Sequence, residues 1–255
     1  LYGDGLISVA AVGDLNTQLV KNHASGVIRA DGGVIVLSAT AARNNINNLV
    51  NNEGLIEART ISNRKGKIIL GGAETRMVQN TGKIYATGSA VEDGGDIEIA
   101  AKFVGLGGEV RADGQNGGTV DITATTLSLA DHISAKGVNG KGGTIAIHYN
   151  DLWETSTSYL SVDGTTDGGK ILSVGLDNIV SSGHYSALGL GGRGGQIDIT
   201  SPGIRMLSTE VSASGKTAGG LIRIGGEYQG GKGLPEDQLP NAQIVTLDRG
   251  TRIRA

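Results

Sequence analysis

The chain offers few groups for covalent chemistry. It has no cysteine, which excludes disulfides, thiolate nucleophiles and zinc–thiolate centres. GLGGRG (189–194) matches the G-x-G-x-x-G of a dinucleotide loop, but that loop opens a helix, and QIDIT (196–200) alternates as a strand. SGKT (214–217) looks like the end of a phosphate loop, yet Glu210 stands where the first glycine belongs. His23, His132, His148 and His184 lie far apart, in no metal-ligand spacing, and read as surface residues. No calcium-binding nonapeptide repeat occurs. No cofactor and no metal are expected. Carboxylates and rings remain, and they act only where a fold makes them converge.

The elements that would do so repeat. Glycine makes up 44 of 255 residues, against an average of roughly 7%. Glycine steps recur at Gly33, Gly66, Gly95, Gly118, Gly143, Gly169, Gly195 and Gly220, at intervals of 33, 29, 23, 25, 26, 26 and 25 residues. After the later steps come DIEI (96–99), TVDI (119–122), TIAI (144–147), KILS (170–173), QIDI (196–199) and LIRI (221–224). This period-two alternation means a strand with one buried face. Its inward columns are Ile97, Val120, Ile145, Ile171, Ile197, Ile222 and Ile99, Ile122, Ile147, Ser173, Ile199, Ile224; Ser173 breaks the second and suggests a local shift.

A second strand precedes most steps, with inward pairs such as Ile84/Ala86, Val110/Ala112 and Ile133/Ala135, and a weaker third strand precedes that. Three short strands in about 25 residues, repeated, predict one all-β domain over 1–255: a right-handed parallel β-helix of nine or ten coils. The turn glycines Gly94, Gly95, Gly117, Gly118, Gly142, Gly143, Gly168, Gly169, Gly194, Gly195, Gly219 and Gly220 are expected to supply positive-φ corners. Ile, Val, Leu and Ala must build the core, since the chain has one Phe, one Trp and six Tyr.

Three segments interrupt the pattern: 42–54, with six asparagines that form either an amide ladder or a polar loop; 148–159, with the only Trp; and 227–243, with two of the three prolines. Outward positions of the first strand give Glu98, Asp121, Ala146, Leu172, Asp198 and Arg223. Ala146 and Leu172 break any continuous acidic cleft. Outward on the strand before the glycine step, His132, Tyr159 and Tyr185 form a row if the coil there has 26 residues, and Tyr149 and Trp153 spring from the same coils. These five form either a glycan-contact patch, or a set in which Trp153 plugs a loop while the tyrosines stack to support the sheet.

MVQNTGKIYATG (77–88), LVNNEGLIEART (49–60) and GGLIRIGGEYQGGKGLPEDQLPNAQIVTLDRGTRIRA (219–255) together resemble the filamentous haemagglutinin-like exoproteins. These are the large secreted TpsA proteins of two-partner secretion in Gram-negative bacteria. The resemblance covers nearly the whole chain. It implies a right-handed β-helical shaft, a TpsB-type outer-membrane transporter for the full-length protein, and a location outside the cell at its surface. It also implies a host-cell, bacterial-surface or matrix receptor, glycan or protein. No secretion domain of that family is evident in the sequence, and the chain reads as an internal shaft fragment with any targeting signal upstream.

The expected function is therefore structural and not enzymatic: a shaft that adheres, or projects a distal binding or toxin domain. A self-assembling filament subunit and a β-helical polysaccharide lyase or hydrolase are the alternatives. A net charge of −3 gives no overall attraction to nucleic acid, and no apolar run approaches the roughly 20 residues of a membrane helix.

Overall fold

The computed structural model describes residues 5–13, 18–41, 48–62, 64–227, 230 and 239–255. They wind as a parallel β-solenoid with three faces. Each ladder is nine strands deep, so eight steps of one coil each separate its ends. Every strand-to-strand pairing is parallel, as expected when each coil lies on the one before.

The first face carries the predicted columns. Ile97, Val120, Ile145, Ile171 and Ile197 stand in register, and so do Ile99, Ile122, Ile147, Ser173 and Ile199. Most are fully buried, each worth about 1.5–3 kcal/mol when removed from water. The third face adds Ile56, Ile84, Val110, Ile133 and Leu160, with small Ala58, Ala86, Ala112 and Ala135 two residues on. The corner follows, and the column at this position is filled by small side chains, alanine in most coils and Val162 in one.

In the middle coils the first two strands are one. Asp96–Leu106, Thr119–Leu129, Thr144–Glu154 and Lys170–Ser181 each run unbroken across the first and second faces. This corrects the expected excursion at 148–159: Tyr149 and Trp153 lie on a strand that ends at Glu154, and only a short turn follows. The alternation of Tyr149, Leu152 and Glu154 as inward residues is the physical reason. One coil below Asp96–Leu106, the chain leaves the ladder at this same corner. Between Lys67–Gly71 and Met77–Asn80, residues 72–76 intervene there. Of the predicted segments 42–54 and 227–243, residues 42–47, 228–229 and 231–238 lie outside the described residues. Asn48–Asn52 is a strand.

The turn glycines serve a different purpose from the one expected. None of the twelve has a positive φ; among described glycines only Gly32, Gly71, Gly72, Gly225, Gly226 and Gly230 do. Instead they stack. A Cβ on Gly118, Gly143, Gly169, Gly195 or Gly220 would overlap the carbonyl oxygen of the equivalent glycine one coil below. A Cβ on Gly94, Gly117, Gly142, Gly168 or Gly194 would overlap a third-face carbonyl one coil above. The turn itself is closed by bonds such as Gly118 N to Ala112 O (2.7 Å) and Gly143 N to Ala135 O (2.7 Å). The requirement is close backbone approach, the second of glycine's two uses.

Ser173 stays in register, opposite Ile147 and Ile199. The shift it hinted at comes later, where Tyr149 pairs with Gly175 and Asp151 with Asn178, leaving one extra residue on the upper strand. Here the column of small residues Ala101 and Ala124 is continued by Tyr149. Its ring points inward, and Ser173 and Gly175 are small enough to receive it.

Candidate functional site

Three arrangements of polar and aromatic groups could do more than hold the coil. The first is on the outside of the third face, where Lys83, Glu109, His132, Tyr159, His184, Glu210 and Arg252 form one column. The His132 and Tyr159 rings are 5.5 Å apart, and those of Tyr159 and His184 are 6.2 Å apart, both pairs tilted. Asp131 Oδ1 meets His132 Nδ1 at 2.7 Å, and Glu210 lies between His184 (3.4 Å) and Arg252 (3.0 Å). Lys136 Nζ is 5.6 Å from the Tyr159 ring centre, within cation–π range.

This row corrects the expected one. His184, not Tyr185, follows Tyr159, because 25 residues and not 26 separate the two coils. One residue of slip moves a side chain to the opposite face, so Tyr185 is buried in the lumen. Tyr149 is buried too. Neither can touch a partner at the surface. Of the five predicted contact residues, His132 and Tyr159 stand together, and Trp153 is half exposed on the second face.

The second arrangement is inside. Glu154 occupies an inward column whose neighbours are Leu129 and Ser181. Its Oε2 accepts a hydrogen bond from the Tyr185 hydroxyl, which crosses the lumen from the third face. The Tyr149 hydroxyl sits 3.1 Å from that of Ser173. Burial pushes the Glu154 carboxyl up to about 6, against the opposing pull of the Ser181, Tyr185 and Ser158 hydroxyls. Burial likewise holds both tyrosines in the neutral form. No sequence motif marks this cluster. The only signal was that Leu152 and Glu154 alternate in phase with Leu127 and Leu129.

Lower in that same column is the third arrangement. Asn22, Asn52 and Asn80 form a buried amide ladder, with Nδ2 of Asn22 donating to Oδ1 of Asn52 (2.8 Å) and Nδ2 of Asn52 to Oδ1 of Asn80 (2.7 Å). The amides also donate to carbonyls in the following turn, such as Asn52 Nδ2 to Gly54 O (3.2 Å). Asn52 thus realises the ladder reading of the asparagine-rich segment.

The carboxylates on the first face do not build a cleft. Lys67 Nζ pairs with Glu98 at 2.6 Å. Asp121 is raised by burial and by Glu98 next to it. Ala146 and Leu172 then interrupt the column, and Asp198 is fully buried against Arg223 at 2.7 and 2.9 Å. Among the described residues no three His, Asp or Glu side chains gather as a metal site. A shallow groove of about 390 Å³ lies on the second face beside Met77, Phe103 and Gly105, a feature the sequence did not suggest.

No protein-family model and no curated protein matches the chain. Among solved structures, the crystal structure of the HMW1 secretion domain from Haemophilus influenzae is similar, with a TM-score of 0.60 at 18% sequence identity. The match covers 90% of this chain and 66% of that one, so the chain spans just under two thirds of its length. At this identity the likeness is one of fold.

Proposed function

We propose that the chain is a rigid structural segment of a large secreted exoprotein of the filamentous haemagglutinin-like, TpsA type. In this reading a TpsB-type transporter carries the full-length protein across the outer membrane of a Gram-negative bacterium. At the cell surface the segment adheres to a receptor or projects a distal binding or toxin domain. The observation that carries the reading is the continuity of the inner columns over nine strands, while the outer side chains change from coil to coil. Such a build gives a rod, stabilised by neighbour-to-neighbour contacts, and not a converging catalytic cleft. The fold shared with a secretion domain supports an exported protein. The contact surface in this reading is the His132–Tyr159–His184 row with Trp153 on the adjoining face, exposed rings suited to a glycan or protein receptor.

The same structural likeness favours a second reading, in which this chain is itself the part that directs export. One deletion separates the two. Removing residues 96–195 from the full-length protein joins Gly95 to Gln196 and preserves the register of the coils. A structural segment predicts continued export of a shortened protein. Loss of export by a protein that still folds would support the second reading. Incubation of the folded chain with polysaccharides tests the non-enzymatic role, and new reducing ends or unsaturated products would overturn it.

A further inference from the structure

Glu154 is the one carboxyl in the lumen among the described residues, since the other buried one, Asp198, sits on an outward position with Arg223. No cation reaches Glu154. Tyr185 faces it from the third face, Ser181 from the coil above, Ser158 from the following turn, and Tyr149 lies on its own strand. From the coil below, its register partner is Leu129. Its Oε1 has no hydrogen-bond partner. A neutral carboxyl suits this place. An ionised one is left buried with hydroxyl donors alone, which is costly.

We propose that Glu154 is a pH latch on the middle of the solenoid: neutral, it sits in the lumen with the second and third faces closed on it, and ionised, its buried charge makes those coils open. Opening relieves the charge by admitting water between the strand ending at Glu154 and the strand His184–Ser186. Because each coil contacts only its neighbours, the opening stays local. The protein is then a stiffer rod in mild acid than at neutral pH, with the softening confined to the coils around 150–187.

Amide hydrogen exchange, corrected for intrinsic rates and followed by mass spectrometry from pH 4 to 8, tests this. A carboxyl that titrates near 4.5 when open and near 6 when closed makes opening up to about thirty-fold more frequent above pH 6. Peptides spanning 150–162 and 178–188 should lose protection by that factor, while those of the distant coils do not. Glu154→Gln should abolish the step. Tyr185→Phe removes a donor to the carboxylate and should move the midpoint upward. Unchanged protection across this range in the native chain, or the same step in Glu154→Gln, would overturn the proposal.

Discussion

The hydroxyl of Tyr149 meets that of Ser173 inside the lumen at 3.1 Å, one coil apart. The two are a matched exchange of volume between adjacent columns: Tyr149 stands where its column otherwise has Ala101 and Ala124, and Ser173 stands where the neighbouring column has isoleucine. Ser173→Ile, which restores the column's usual residue, should therefore destabilise by about 1–3 kcal/mol through overpacking. Combining it with Tyr149→Ala should recover most of that loss. Chemical denaturation of the four members of the cycle measures the coupling, and additivity would contradict the exchange.

Glycine substitutions should split by position. An alanine Cβ at Gly143 would overlap the Gly118 carbonyl oxygen, an atom fixed by the ladder. Gly143→Ala should cost more than about 3 kcal/mol or prevent folding, at the upper end for single substitutions. At Gly105 a Cβ meets open space and φ is not positive, so Gly105→Ala should be neutral or stabilising by up to about 1 kcal/mol. Thermal melts of the two variants decide it.

The amide ladder should behave as a unit. Asn52→Leu leaves both Asn22 and Asn80 short of a partner, at roughly 1–3 kcal/mol for each orphaned group. Replacing all three by leucine extends the chemistry of Leu106 and Leu129, which continue the same column. The triple variant should be more stable than Asn52→Leu alone, measured by denaturant midpoint.

Stability should peak near mild acid. Hydrogen bonds from Arg59, Lys21 and Arg252 hold Asp31, Glu53 and Glu210 below their ordinary values, and backbone N–H groups do the same for Asp167 and Asp248. Depressed carboxylates give stability that is present above pH 3.8–4.5 and lost as the pH falls through the folded values. Glu154 works oppositely: its raised value gives stability that is full below 4.5 and lost as the pH rises through about 6. The melting temperature should therefore be highest at about pH 5, and Glu154→Gln should shift that optimum upward.

If the outer rings contact a receptor, replacing Trp153 and Tyr159 together by alanine should abolish binding to glycans or cells. Both side chains lie on outer faces, so circular dichroism should report an intact fold. Unchanged binding would remove this surface from consideration.

The solenoid was legible because its signal is repeated. Ile97, Val120 and Ile145 recur after a glycine step, and chance errors in one coil are corrected by the next. Single-residue slips were not legible. Tyr185 was placed outside because one residue fewer separates its coil from that of Tyr159, and period two converts that miscount into the wrong face. Residues 148–159 looked like an interruption of the pattern because His148, Asn150 and Asp151 mask the inward alternation of Tyr149, Leu152 and Glu154. The glycine positions were right and their reason was wrong, since proximity of a neighbouring coil's carbonyl leaves no trace within one repeat. A lone acid in the lumen carries no sequence mark except its phase.

The ladder hydrogen bonds run along the long axis, from each coil to the next. A load applied between the two ends therefore pulls each bond along its own length, and the coils, held in series, give way one at a time with the weakest first. Such a rod peels instead of shearing. Each detached coil of about 26 residues releases roughly 90 Å of slack at about 3.5 Å per residue. Under tension the protein is a ratcheted extender, giving up length in nearly equal increments while the remaining coils keep their shape.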